Sequence, residues 1–107
     1  MAEWRAGERE NRRTVPKEDG RAGERIRLLR EAHGFTGRGG QSRFADFLGV
    51  RGGMLNQVEL GHLSLSKGTA FRIVEKFQGV SLEWLWWGER KWLTVQMAQK
   101  LDEATKK

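Results

Sequence analysis

Cysteine is absent from the 107 residues, which excludes a disulfide framework and any thiolate metal site. That absence fits the cytoplasmic location expected here. The chain has no apolar run near the roughly 18 residues of a membrane span, and its charged start lacks the pattern of a signal peptide. The glycine-rich string FTGRGG at 35–40 is too irregular for a nucleotide fingerprint, and neither GxGxxG nor a lysine-containing P-loop occurs. Histidine is scarce. His33 falls at a helix end as a half-buried residue, and His62 in a loop, as a loop residue or a phosphate contact. With no carboxylate pair at ligand spacing and no serine framed as a nucleophile elbow, the expectation is no metal, no cofactor and no enzymatic activity.

Charge is present in excess and unevenly. The net charge is +6 and the pI about 10.3, a balance that favours a polyanionic partner such as nucleic acid. Residues 1–19 carry 5 basic and 5 acidic side chains, whereas the remainder carries 15 basic against 9 acidic and supplies the whole surplus. This first stretch also holds the single proline, Pro16, and shows no sustained apolar period, so it is expected to be a disordered tail, with Trp4 unexplained. Arg12 and Arg13 within it can touch phosphates. The string RAGER at 5–9 and 21–25 is one short repetition, not a solenoid unit.

Helical spacing governs the rest. Ile26, Leu29 and His33 form one stripe of a helix over about 21–33, stopped by Gly34. Two short helices are expected over 41–48 and 52–60. Ser66 can cap a fourth over 67–78, with Phe71, Val74 and Phe77 facing inward and Gly79 closing it; Ser81 can cap a fifth, with Leu82, Trp84 and Leu85 inside. Leu93, Met97, Leu101 and Ala104 then recur at helical intervals, so 89–105 reads as a further amphipathic helix. The fold class is therefore all-α. A domain spanning 20–88 is compact and five-helical, and an additional C-terminal helix occupies 89–107.

The most informative stretch is QSRFADFLGVRGGMLNQVEL at 41–60. A small residue at Ala45, a glycine at Gly49 and apolar residues at Leu55 and Val58 give the spacing of two helices crossing steeply through a tight turn. Ala45 is small where the second helix crosses close, and Gly49 ends the first helix in a left-handed backbone. Phe44, Leu48, Leu55 and Val58 turn inward together. Such a unit presents the outer face of its second helix to a DNA major groove.

Residues 24–89 resemble the helix-turn-helix domains of Cro and lambda-repressor-like phage regulators and their XRE-type bacterial relatives. The matching blocks are ERIRLLREAHGF, QSRFADFLGV, LNQVELG and GVSLEWLWWGE, in order. The resemblance implies that Gln41, opening the second helix, grips a phosphate. It implies further that Arg51 stands at the cap before the third helix, whose groove-facing surface comprises Gly52, Gly53, Met54, Asn56 and Gln57. Gln57 matches a base-reading position, and a glutamine amide can pair two-pronged with adenine. His62 and Ser64 fall in a loop that holds backbone phosphates in relatives. Arg30 and Glu59 match a pair tying the first helix to the end of the third, a scaffold element. The chain departs from the pattern at Gly52 and Gly53, where relatives often carry long base-reading side chains. Either specificity then comes from Arg51, Asn56, Gln57 and DNA shape, or this copy serves another ligand. The loop before the second helix is longer than usual and carries Arg38, within reach of a flanking phosphate or simply solvated.

Four of the five tryptophans, Trp84, Trp86, Trp87 and Trp92, cluster before or within the last helix. A small domain hides one or two such indoles, so Trp86, Trp87 and Trp92, with Leu93, Met97 and Leu101, are expected in an interface with a second subunit. The alternative is that the last helix folds back over its own domain. The expected function is a sequence-specific DNA-binding regulator, a repressor, binding an inverted repeat in double-stranded DNA as a homodimer. The rival is a protein-binding module on the same fold, an antitoxin or antiactivator whose partner (a toxin or a regulator) meets the tryptophan-rich end. No membrane partner is expected.

Overall fold

In the computed structural model, residues 19–106 are described, and they form six helices and no strand. The tail expected over residues 1–19 lies outside the described residues except for Asp19, and with it Trp4, Arg12, Arg13 and Pro16. The helices are α1 (Ala22–Ala32), α2 (Gly40–Leu48), α3 (Gly52–Glu59), α4 (Lys67–Lys76), α5 (Leu82–Trp87) and α6 (Val95–Thr105). None of them is long and apolar enough to cross a membrane.

Local chemistry sets several of the ends. Ser66, Ser81 and Thr94 are extended N-cap residues whose hydroxyls accept from the backbone N–H three residues on, at Thr69, Trp84 and Met97. Each satisfies one donor that the first helical turn leaves open. Gly49 ends α2 at φ 77°, ψ 33°, with its N–H donated to the Ala45 and Asp46 carbonyls. The left-handed backbone is what requires glycine there; a β-carbon would also sit 2.9 Å from the Arg72 guanidinium, which would have to shift. Before α1, Asp19 accepts from the Arg21 N–H and pairs with Arg25. The Arg25 guanidinium beside Asp19 holds its carboxyl below the usual carboxylate range, against a smaller opposing effect of burial.

One core joins all six helices. Ile26 and Leu29 of α1, Phe44, Ala45 and Leu48 of α2, Leu55 and Val58 of α3, Ile73 of α4, Leu85 of α5 and Leu101 of α6 are all fully buried. α1 and α3 pass so close that a β-carbon at Gly23 would lie 2.1 Å from the Val58 carbonyl oxygen. His33 is half-buried, as expected, with its Nδ1 donating to the Leu29 carbonyl at 2.9 Å and its ring edge-on to Phe77.

Three expectations change. The buried stripe of α4 runs through Thr69, Ala70 and Ile73 to Phe77, so Phe71 is 55% exposed and Val74 only half-buried. One residue displaces a helical side chain by about 100°, and the small Ala70 permits the close packing that Phe71 would block. The last helix begins at Val95 rather than at 89, because Thr94 supplies its cap. α6 also folds back over its own chain against α1, which removes Met97 and Leu101 from any interface: they are 6% and 1% exposed. Trp86 is likewise internal, its indole N–H directed at the Leu65 carbonyl. Leu93 is half-buried against the same core, and of the expected interface residues only Trp87 and Trp92 remain exposed.

Candidate nucleic-acid interface

α2 and α3 are joined by Gly49, Val50 and Arg51 and pack on one another, while α3 also packs on α1. Their mutual placement is held by a buried polar junction. Arg30 of α1 donates from Nε and Nη2 to the two carboxylate oxygens of Glu59, at 2.9 and 3.1 Å, and both side chains are at least nine-tenths buried. Arg30 Nη1 donates to the Phe35 carbonyl at 2.7 Å. Gln41 Nε2 donates to Glu59 Oε1 at 3.0 Å. The start of α2, the end of α3 and the α1–α2 loop are thus bonded to one guanidinium–carboxylate pair.

Gln41 is therefore half-buried, and one of its amide hydrogens is committed inside the protein. The other hydrogen and the amide oxygen have no protein partner among the described residues, which leaves a donor at the first turn of α2.

α3 has two sides. Leu55 and Val58 are buried, and Met54 is half-buried, packed against the core at the margin of the outer face. The outer face consists of Arg51, Gly52, Gly53 and Gln57, all exposed, with Asn56 half-exposed at its edge. Arg51 is the extended N-cap, at φ −78° and ψ 134°, and its side chain makes no capping bond. β-carbons at Gly52 and Gly53 would meet nothing within 4 Å, so no packing demand accounts for either glycine.

The loop after α3 curls back onto its end. The His62 and Leu63 N–H groups both reach the Gln57 carbonyl, at 2.9 and 3.2 Å, and His62 Nδ1 lies 3.1 Å from Gln57 Oε1. His62 and Ser64 are exposed beside Gln57. Arg38 is exposed in the loop before α2, and its side chain has no partner among the described residues. Gln57, His62 and the N-terminal turn of α3 are therefore brought to one surface by local bonds, while Arg38 stands apart on the α1–α2 loop.

Two further cations near this surface were not singled out from sequence. Arg43 of α2 donates to the Thr36 and Arg38 carbonyls and holds the glycine-rich loop. Arg72 of α4 donates to the Leu48 carbonyl at the end of α2. Both roles depend on where main-chain carbonyls end up after folding, for which no local pattern exists. Among the described residues no group of three or more His, Asp or Glu is placed to hold a metal ion. No known protein family, curated protein or solved structure matches the chain.

Proposed function

We propose that the chain is a sequence-specific DNA-binding transcriptional regulator, a repressor, built on a helix-turn-helix unit formed by α2 and α3. The observation that carries this reading is the two-sidedness of α3: its inner side is sealed in the core, and its outer side is polar, slender and exposed, with only His62 bonded to it at Gln57. Eight residues of helix span about 12 Å, comparable to the width of a major groove. Gly52 and Gly53 thin the first turn so that its open N–H groups can come close to the DNA backbone, Arg51 at the cap meets a phosphate there, and base reading falls to Asn56 and Gln57. Gln57 reads an adenine through both ends of its amide only after releasing His62, which then becomes free to meet a phosphate. Gln41 offers its remaining amide hydrogen to a backbone phosphate, at an angle set by Glu59.

On an inverted repeat, two copies would place their α3 helices in successive major grooves, roughly 34 Å apart. The exposed apolar side chains suited to self-association are Trp87, Trp92 and Val95, which are 41%, 60% and 73% exposed. The same side chains favour the second reading, a protein-binding module with DNA contact secondary or absent.

Selection of bound duplexes from a random pool tests the proposal, and recovery of a palindrome is the expected result. Gln57→Ala is expected to relax the selected preference, whereas Gln41→Ala weakens specific and random duplexes alike. Recovery of no sequence, or equal losses on both duplex types for both variants, would refute it.

A further inference from the structure

The arginines of the described residues fall into two sets according to what neutralises them. Arg21, Arg25, Arg27, Arg30 and Arg90 each pair with a carboxylate, respectively Glu24, Asp19, Glu31, Glu59 and Asp102. These lie on or beside α1, or in the connection to α6 that packs against it. Arg38, Arg43, Arg51 and Arg72 have no carboxylate partner among the described residues. Arg43 and Arg72 bond only main-chain carbonyls, which leave their charge intact.

The second set lies on one side of the molecule. Arg43 and Phe47 are one turn apart on the exposed face of α2. Lys76 of α4 stands over the Phe47 ring, 5.3 Å from its centroid. Arg72, one turn before Lys76, reaches the Leu48 carbonyl at the α2–α3 turn, and Arg51 follows directly at the start of α3. Arg38 lies at the other end, its carbonyl held by Arg43. The acidic residues of these two helices are Asp46 and Glu75, so the strip keeps a cationic surplus. Like charges gathered this way repel in the free protein, and a polyanion laid along them relieves that repulsion.

We infer that Arg38, Arg43, Arg51, Arg72 and Lys76 form a second phosphate-binding strip, which grips duplex DNA flanking the base pairs under α3. The inference rests on the reading of α3 as a groove-binding helix, because Arg51 makes the strip continuous with that helix. An acidic protein is the other polyanion of the right sign, but it would not need this continuity.

The test is the salt dependence of binding to a mixed-sequence duplex about 30 base pairs long, long enough to extend past one α3 site. The variant is Arg38→Gln/Arg51→Gln/Lys76→Gln, because none of these side chains holds a hydrogen bond within the described fold; Arg43 and Arg72 are left in place. Arg27→Gln/Arg90→Gln, which removes two paired arginines, is the control. Each phosphate contact contributes about 0.9 to the slope of log K against log salt. The triple variant is therefore expected to lose about 2 to 3 from the slope and at least about tenfold in affinity at low salt, with the control unchanged. A triple variant that binds with the wild-type slope overturns the strip and leaves the α3 reading standing. Wild-type protein that binds no duplex overturns both. A triple variant that loses affinity for poly-glutamate but keeps it for the duplex assigns the strip to an acidic protein and overturns the inference.

Discussion

Replacing Glu59 by alanine is expected to be among the most damaging single changes available in this chain. The carboxylate accepts two bonds from Arg30 and one from Gln41, at distances between 2.9 and 3.1 Å. Without it the guanidinium stays charged and nine-tenths buried, with only the Phe35 carbonyl as partner. Removing one member of a buried ion pair costs about 3–5 kcal/mol, because the survivor keeps its desolvation penalty and loses its compensation. A domain of this size has a total stability of about 5–15 kcal/mol, so Glu59→Ala removes a large fraction of it. At about 4–8 °C per kcal/mol, the midpoint of thermal unfolding falls by more than about 10 °C. The double variant Arg30→Met/Glu59→Leu removes both charges and keeps apolar volume, so it is expected to lose much less than the two single changes combined. The assay is urea unfolding followed by tryptophan fluorescence, with Trp84 and Trp86 as buried reporters. Single variants costing under about 1 kcal/mol, or a double variant costing the full sum, would refute the view that the pair acts as one buried unit.

Gly52→Ala and Gly53→Ala enter open space on a helix and are expected to stabilise the fold by up to about 1 kcal/mol each, whereas Gly23→Ala drives a methyl into the Val58 carbonyl and lowers the unfolding midpoint sharply. Leu101→Ala empties a fully buried site and is expected to cost about 2–5 kcal/mol, while Trp92→Ala, on the surface, leaves monomer stability nearly unchanged and, with Trp92 in the subunit contact, reduces sedimenting mass. Asp19 has a lowered folded-state pKa, so its stabilisation is complete above the unfolded value of about 3.9 and disappears as pH falls through the folded value. Asp19→Asn is accordingly expected to unfold at lower urea than wild type at pH 7, with the gap closing below about pH 4; a gap independent of pH would contradict this.

The features legible in the sequence are those decided within a few residues. Ser66 and Ser81 cap through contacts three positions away, Gly49 turns the chain by its own backbone freedom, and Ile26 with Leu29 marks the inner side of α1. What escaped is decided by neighbours distant in the chain. Phe71 and Ala70 are adjacent, and only the approach of α4 to the core decides that the smaller one is buried. Met97 and Leu101 have a stripe that would suit either a second subunit or α1, and the short 88–94 connection turns it onto α1. A small core hides one or two of four clustered tryptophans, and Trp84 and Trp86 are the two hidden; that Trp86 is one of them depends on the Leu65 carbonyl, 21 residues earlier, at which its indole N–H is directed. The bond from Gln41 to Glu59 has no local signal either, because nothing near Gln41 in sequence announces a carboxylate 18 residues on.

The most direct test of α3 as the DNA-contacting element is an amide chemical-shift map of the protein titrated with duplex DNA recovered by selection. Shifts concentrated at Gln41, residues 51–57 and residues 62–64 are the expected result. Shifts confined to the Trp87–Val95 surface, with the α3 amides unmoved, would contradict it.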